Sequence, residues 1–222
     1  MQKSVLHHNF EELAGLPSEL LYLASLAEKA VELSIQALQQ RDAALAQKVI
    51  TDDLQLDRRE LAIEELCVTL LARQRLTAGE LRTVVSALKI NNDLERIGDH
   101  AVNIAGNTLT LLQEPVLELP PEIPRLAGLA QLMVRDAIDA FVHREATVAV
   151  SVCRRDDEAD ALNQHILRVL IDYMTGEARR IAGGLSLILV SRNLERIADL
   201  STNIAEEVVY MVEARTIKHR HR

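Results

Sequence analysis

The amino-acid sequence predicts an all-α protein made of two tandem three-helix bundles. Three features indicate this class: aromatic residues are only 2% of the 222-residue chain, Gly and Pro number only 8 and 5, and a block of fourteen residues recurs later. Strand-rich folds need aromatic and β-branched residues and many turns, so the composition argues against them. A core of Leu, Ile, Val and Ala favours long packed helices.

The recurring block indicates a tandem duplication. Residues 92–105 read NDLERIGDHAVNIA and residues 192–205 read RNLERIADLSTNIA, so eight of fourteen positions are identical at an offset of 100. An earlier correspondence, between residues 41–50 and 144–153, has an offset of 103. The change of offset implies a deletion in the second half, which we expect in a turn. The chain is therefore one unit used twice.

A proline cluster marks the boundary between the two halves. Four of the five prolines lie within residues 115–124. Because proline lacks an amide hydrogen and clashes inside helices, this segment does not continue a helix. We therefore place the first bundle at residues 1–114, a proline-rich connection at 115–124 and the second bundle at 125–222.

Each half is predicted to contain three helices joined by short turns. Asn9 followed by Glu12 is a capping-box pattern that opens the first helix, and Arg41-Asp42 forms the turn after it. Residues 77–80 open the third helix. The helices are expected at about residues 9–40, 43–75 and 77–113, and again at about residues 122–143, 145–173 and 176–213. Short connections make neighbouring helices antiparallel.

The charge balance and the apolar pattern exclude several classes of protein. Lys and Arg number 25 and Asp and Glu 33, and this net charge of −8 argues against sequence-independent nucleic-acid binding. Two cysteines are too few for a disulfide framework. Residues 1–10 contain no apolar signal region, and the apolar residues 185–190 are too few to span a membrane. We expect a cytoplasmic protein without membrane insertion.

The halves also share oxygen-bearing side chains at helical spacing, at the edge of the apolar face. These candidate ligands are Asp53, Asp57, Glu95, Asp99 and Asn103 in the first half and Asp156, Asp160, Glu195, Asp199 and Asn203 in the second. Acids four residues apart on a helix have Cβ atoms about 5–6 Å apart and repel each other unless a cation neutralises them. Oxygen ligands suit Mg, Mn, Ca or Fe. A solvated acidic face is the alternative, and the spacing leaves both open.

Other repeated or reactive residues are expected to be structural. Arg96 and Arg196 recur, and we expect each to pair with acids of a neighbouring helix. Gly98 and Ala198 indicate a close approach of helices. Cys67 and Cys153 occupy different positions in the two halves and are expected in the core. The sequence contains no Gly-rich phosphate loop, no Walker sequence and no Glu-x-x-His motif.

The two blocks resemble the signature of the PhoU family, phosphate-signalling regulators of bacteria and archaea. The likeness extends from Phe10 through Leu88-Lys89-Ile90 to residues 210–219. It implies two three-helix bundles related by pseudo-twofold symmetry, and a negative regulator of the phosphate-starvation response. The implied partners are a PstB-like ATPase subunit of the phosphate transporter, a PhoR-like sensor kinase and a second copy of the chain.

The resemblance also implies metal ions, because some family members carry metal clusters on Glu/Asp-x-x-x-Asp motifs. Carried over position by position, the ligands are the eight acids named above, with Asn103 and Asn203 as additional ligands. The ion implied is Fe, Zn, Mn, Mg or Ca. The second block departs from the family pattern at Ala198, Leu200 and Ser201, which predicts a second site that is filled differently or is weaker.

Three functions compete at this stage. The first, which we favour, is a regulatory adaptor that performs no chemistry and has no catalytic residue. The second is a metal-dependent enzyme of the di-metal carboxylate type, such as a phosphoesterase or a di-iron oxidase, which the clustered acids motivate. Against it, the two halves share no candidate nucleophile or general-base His. The third is a metal-free helical scaffold.

Overall fold

A computed structural model describes residues 2–72, 76–115 and 118–217. The helices are α1 (Gln2–Gln40), α2 (Ala43–Ala72), α3 (Ala78–Gln113), α4 (Glu122–His143), α5 (Ala146–Cys153), α6 (Asp156–Thr175) and α7 (Ile181–Glu213). A 3₁₀ turn at Ala178–Arg180 precedes α7, and no strand occurs among the described residues. None of the described helices is both long and apolar enough to cross a membrane. The predicted all-α class is confirmed.

The helices form the two expected three-helix bundles. In the first, α1, α2 and α3 pack on one another, and in the second, α4 and α7 pack on α5 and α6. The bundles meet mainly through α3 and α7, with a smaller contact of α1 with α4. Lys89 contacts Glu207 while His100 contacts Asn193, so α3 and α7 run antiparallel. This arrangement has the pseudo-twofold symmetry that the resemblance implies.

Regular rows of aliphatic residues make these helices pack. Along α2 the buried residues Val49, Leu56, Ile63 and Leu70 recur every seven residues. This spacing keeps them on one face of a helix with 3.6 residues per turn. The central helices carry similar rows. The members in α3 are Ile90, Leu94, Ile97, Ala101 and Ile104, and those in α7 are Val190, Leu194, Ile197 and Ile204.

The turns after the first helix of each bundle share the same backbone conformation at one residue. Arg41 and Arg144 occupy equivalent positions and are both left-handed, with φ of 52° and 54°. The Asp42 amide donates to the Ala37 carbonyl at 2.9 Å, which closes the end of α1. Asp42 Oδ1 accepts from the Ala44 amide at 2.8 Å and caps α2. The turn predicted at Arg41-Asp42 is confirmed.

The connection before the third helix explains the change of offset. In the first bundle five residues separate α2 from α3. In the second bundle the 3₁₀ turn begins at the position equivalent to the start of α3, and only two residues separate it from α6. The expected deletion therefore lies in a turn. Thr77 and Glu80 form the predicted start of α3, since the Glu80 amide donates to Thr77 Oγ1 and the Thr77 amide donates to Glu80 Oε2.

Two predicted helix limits are wrong. The first helix begins at Gln2, so Asn9 lies within α1 and does not cap it. A capping-box pattern marks a start only where the preceding residues leave the helix, and residues 2–8 contain no Gly or Pro to end it. The third helix of the second half begins at Ile181 behind a 3₁₀ turn, rather than at Gly176.

The helix predicted over residues 145–173 is two helices, α5 and α6, separated by Arg154 and Arg155. The Arg155 amide donates to the Val152 carbonyl at 2.9 Å, a bond to the third preceding residue that tightens the turn. Arg155 Nη1 also donates to Asp136 Oδ2 of α4 at 2.5 Å. This contact joins residues far apart in sequence, so helical periodicity gave no sign of it.

Candidate functional site

The structure brings the first set of acids together where α2 crosses α3. The first acidic cluster consists of Asp53 and Asp57 on α2 and Glu95 and Asp99 on α3. Gly98 allows the close approach, because a Cβ atom at this position would lie 2.6 Å from Leu56 Cδ1 and 3.4 Å from Asp53 Oδ1. The expected role of Gly98 in close helix packing is confirmed.

The carboxylates of the first acidic cluster influence one another. Burial raises the pKa of Asp53 to about 6, and the negative charges of Asp57 and Asp99 add to the shift. Burial also raises the pKa of Glu95, with further contributions from Asp99 and Glu60. Such shifts arise when carboxylates are partly removed from water and repel each other. A cation would relieve both effects, so the cluster is electrostatically suited to bind one.

Glu60 joins the first acidic cluster and was missed in the sequence. Its carboxylate accepts a hydrogen bond from Asn91 Nδ2 at 2.8 Å, and burial followed by the charges of Glu64 and Asp57 raises its pKa. Asn91 is buried, and its Oδ1 atom has no hydrogen-bond partner among the described residues. Glu60 lies one helical turn after Asp57, but the second half has Asn163 at its position, so a search for duplicated acids passes over it.

The second acidic cluster consists of Asp156 and Asp160 on α6 and Glu195 and Asp199 on α7. Three of its members, Asp160, Glu195 and Asp199, each offer a carboxylate oxygen, and these oxygens lie within 4.8 Å of one another. Asp156 begins α6, where its Oδ1 atom accepts from Thr202 Oγ1 at 3.2 Å. The cluster is therefore compact enough for one ion to contact three carboxylates.

Burial and repulsion also alter the second acidic cluster. Burial raises the pKa of Asp156 to about 6, and the charges of Asp199 and Asp160 add to the shift. The pKa of Asp160 and that of Glu195 are raised by the same two causes, burial first and then Asp199. Arg196 opposes the shift at both residues. The second cluster thus holds a counter-charge of its own.

The two clusters are therefore not copies of each other. Arg196 Nη1 donates to Asp199 Oδ2 at 2.8 Å, and its Nε atom lies 3.8 Å from Glu195. Arg196 pairs within its own helix, so the expected pairing with a neighbouring helix is wrong. Arg96, at the equivalent position, is exposed and forms no ion pair with any described residue. Arg196 lies three residues before Asp199, a spacing at which side chains of one helix meet.

The two asparagines of the predicted set are not drawn into the clusters. Asn103 is exposed and Asn203 is partly buried. In the described part of the chain, neither side chain forms a hydrogen bond with a cluster acid. The backbone carbonyl of Asn103 accepts from Asn107 Nδ2 at 2.7 Å. Both asparagines remain candidate ligands by their helical spacing from the acids alone.

The donor atoms of both clusters are oxygens, which suit Fe, Mn, Mg or Ca better than Zn. Cys67 and Cys153 are buried, as expected, and burial raises their pKa values to about 11 and about 12, so neither offers a thiolate. The ring of His100 is engaged elsewhere, with its Nδ1 atom 2.8 Å from Asn193 Oδ1. The basic tail at residues 218–222 lies outside the described residues.

Comparisons with known proteins identify relatives from the same family. A family model for the PhoU domain matches residues 20–108 and again residues 123–208. The chain is 38% identical to a phosphate-specific transport system accessory protein PhoU homologue of Pseudomonas putida, covering 98% of this chain and 87% of the relative. A homologue of the same name from Clostridium acetobutylicum is 33% identical and covers 98% of both chains.

Solved structures resemble this fold over nearly the whole chain. The crystal structure of PhoU from Pseudomonas aeruginosa superposes with a TM-score of 0.89 at 38% identity, covering 92% of this chain and 99% of that one. The phosphate transport system regulatory protein PhoU from Streptococcus pneumoniae superposes with a TM-score of 0.87 at 28% identity, covering 95% and 99%. The doubled signature, the two bundles and these matches show that the chain belongs to the PhoU family.

Proposed function

We propose that this protein is a cytoplasmic negative regulator of phosphate uptake and of the phosphate-starvation response. The observation that carries the proposal is the likeness to accessory proteins of phosphate-specific transport systems along 98% of the chain, with both repeats matched. A likeness that spans both bundles favours a shared role of the whole molecule. The proposed role is regulation without a catalytic step.

The proposed mechanism is that of an adaptor. Its helical faces bind a PstB-like ATPase subunit of the phosphate transporter and a PhoR-like sensor kinase, and the protein acts as a homodimer. The net charge of −8 suits basic partner surfaces, because complementary charge accelerates encounter and fixes orientation. Long helices offer faces for such contacts without an enclosed active site.

In this mechanism the acidic clusters bind metal ions that stabilise the bundles or adjust a partner surface. The donor set supports the idea: three carboxylate oxygens lie within 4.8 Å of one another in the second cluster. In the first, Glu60 adds a carboxylate and Asn91 Oδ1 offers a buried acceptor without a hydrogen-bond partner among the described residues. We propose that the first cluster binds more tightly, because in the second Arg196 already pairs with Asp199.

A reporter assay tests the regulatory role. Deleting the gene is expected to activate a phosphate-starvation reporter in phosphate-rich medium, and the wild-type gene is expected to restore repression. Complementation with Glu95→Gln/Asp99→Asn and with Glu195→Gln/Asp199→Asn then asks whether each cluster contributes. An unchanged reporter in a strain without a second copy of the gene would contradict the proposal.

Elemental analysis tests the metal sites. Tag-free protein purified without chelator is expected to carry metal. Each double variant is expected to lose the metal that is bound by the cluster it alters. Asp139→Asn/Asp172→Asn, which removes two exposed acids outside both clusters, is the matched control and is expected to retain the full content. Metal-free wild-type protein, or equal content in all variants, would instead favour the metal-free scaffold.

A further inference from the structure

One polar contact between helices takes different forms in the two bundles. Where α2 meets α3, Asn91 Nδ2 donates to Glu60 Oε1 at 2.8 Å and to the Glu60 backbone carbonyl at 3.1 Å. Where α6 meets α7, the equivalent residues are Asn163 and Ser191, and Ser191 Oγ donates to Asn163 Oδ1 at 2.7 Å. The fold therefore accepts two forms of this contact, one with a carboxylate and one that is neutral.

The form in the first bundle carries two energetic costs. Asn91 is only 1% exposed, and its Oδ1 atom has no hydrogen-bond partner among the described residues. A buried acceptor without a partner destabilises the folded state. Glu60 adds the second cost, because burial followed by the charges of Glu64 and Asp57 raises its pKa. The neutral pair of the second bundle avoids both costs, so stability does not account for Glu60 and Asn91, and a local cost of this kind points to a function.

Both residues lie at the edge of the first acidic cluster. Glu60 follows Asp57 by three residues and shares its face of α2. Asn91 precedes Glu95 by four residues and shares its face of α3. The charge of Glu60 raises the pKa of Glu95, so these carboxylates interact across the helix crossing. The Asn91 amide therefore holds the Glu60 carboxylate beside the acids of the cluster.

The two clusters orient their carboxylates by different means. In the second, Arg196 pairs with Asp199, and three acids offer oxygens within 4.8 Å of one another. In the first, no three acids of the described ranges come this close, as expected for carboxylates that repel one another without a counter-charge. The Asn91 amide is neutral, so it orients Glu60 without cancelling its charge. The first cluster thus keeps its full negative charge for a cation.

We propose that Asn91 is the positioning residue that holds Glu60 as a further carboxylate ligand of the first acidic cluster. The proposal rests on the proposed function, which places metal ions on the clusters, and it names a ligand pair that the second cluster lacks. Hydrogen bonds that orient a ligand from outside the metal site commonly change metal affinity about 10–100-fold. The residues at positions 60 and 91 therefore make the two clusters bind the same ion with different affinity.

Exchanging the two forms of the contact tests the proposal. Glu60→Asn/Asn91→Ser gives the first bundle the pair of the second, in a Glu195→Gln/Asp199→Asn background that leaves only the first cluster intact. The dissociation constant for Mn²⁺, measured from the electron paramagnetic resonance signal of the free ion, is expected to rise at least about tenfold. Asn91→Ser alone is expected to raise it as well, since Glu60 keeps its charge but loses its donor. Glu65→Gln, which removes an exposed acid from another face of α2, is the control and is expected to leave it unchanged.

The reverse exchange tests for a gain of affinity. Asn163→Glu/Ser191→Asn places the charged pair beside the second cluster, in a Glu95→Gln/Asp99→Asn background that leaves only this cluster intact. The dissociation constant for Mn²⁺ is expected to fall about tenfold, because the ion gains an oriented carboxylate.

Stability in chelator separates a positioning role from a purely structural one. Glu60→Asn/Asn91→Ser removes a buried unpaired acceptor and a partly buried charge, so the midpoint of thermal unfolding is expected to rise by at least about 2 °C. A contact that served the fold alone would instead lower the midpoint and leave Mn²⁺ binding by the folded protein unchanged.

The results distinguish this proposal from the metal sites themselves. Wild-type protein that binds no Mn²⁺ contradicts the metal sites of the proposed function, and this proposal with them. A first cluster that binds Mn²⁺ equally well before and after the exchange contradicts the role of Glu60 and Asn91 but leaves the metal sites standing. Neither result affects the reporter assay, which tests the regulatory role separately.

Discussion

At the scale of single residues, the fold partly buries several carboxylates, so water stabilises their negative charge less than at the surface. Asp53 and Asp156 occupy equivalent positions, and burial raises the pKa of each from 3.8 to about 6, with further contributions from neighbouring acids. In the metal-free protein each charge therefore opposes folding near neutral pH. These partly buried acids cost stability while they are charged, a compromise that is common at functional sites.

The sign of this effect gives a prediction for Asp53. Between about pH 4 and pH 6 the folded state binds more protons than the unfolded state, so the stability from protonated Asp53 is present below about pH 4 and is lost as pH rises through 6. In chelator, Asp53→Asn is expected to flatten this decline and to be more stable than wild type at neutral pH. Urea unfolding measured across this range checks it.

The control for this prediction is the adjacent, exposed Asp52. Asp52 pairs with Lys48 at the surface, so Asp52→Asn is expected to leave the pH dependence close to that of wild type. Adding a divalent metal is expected to stabilise wild type at neutral pH and to stabilise Asp53→Asn less. Equal pH profiles for wild type and Asp53→Asn would contradict the prediction.

At the scale of helices, the two bundles use different solutions for the same crossing. Where α2 meets α3, Gly98 lies against the large side chain of Leu56. Where α6 meets α7, the equivalent residues are Ala198 and Ala159, both buried. The first bundle has a glycine and a leucine at these two positions, and the second bundle has two alanines. The sizes of the paired side chains therefore compensate for each other. The helix crossing therefore limits the combined size of the two side chains more than the size of either one.

This compensation predicts strong coupling between Gly98 and Leu56. Gly98→Ala gains about 1 kcal/mol of helix propensity but places a Cβ atom 2.6 Å from Leu56 Cδ1, and overpacking of about 1–3 kcal/mol makes it destabilising. Leu56→Ala alone is expected to cost about 2–5 kcal/mol. In the Leu56→Ala background, Gly98→Ala is expected to become stabilising. A double-mutant cycle in urea measures the coupling, and additive effects would contradict it.

At the scale of the whole molecule, a buried polar contact joins the two bundles. Glu207 of α7 is only 2% exposed and accepts from Lys89 Nζ at 3.0 Å and from Ser86 Oγ at 3.3 Å, both on α3. A buried carboxylate is tolerated only with such partners. The contact is specific to this pair of helices and sets the register in which the two repeats meet.

Removing the cation of this contact tests its role. Lys89→Met removes the Lys89 charge from beside the buried Glu207 carboxylate and is expected to destabilise the protein by about 1–3 kcal/mol. Lys29→Met, which breaks the exposed Lys29–Glu32 pair, is the matched control and is expected to change stability by less than about 0.5 kcal/mol. Thermal unfolding followed by circular dichroism compares the two variants. Equal losses of stability in the two variants would show that burial of Glu207 adds nothing to the strength of its contact with Lys89.

Much of the fold could be predicted because it depends on local periodicity and on repetition. Rows of aliphatic residues at helical spacing, the capping box at Thr77 and the turn at Arg41 are properties of short segments. The offset between the repeats located both acid sets and the deletion in a turn. The ligand role of these acids stays a prediction, since spacing alone does not distinguish a cation site from a solvated acidic face.

By itself the sequence determined the class, the duplication, the helices of the first bundle except where α1 begins, and the positions of the paired acids. Only the tertiary structure decided that Glu60 joins the first cluster, that Arg196 pairs within α7 and that Arg155 reaches Asp136 at the break between α5 and α6. The reason is physical. Helix formation and amphipathic burial act between residues a few positions apart, whereas these contacts depend on how separate helices pack and on which charge lies nearest once water is excluded.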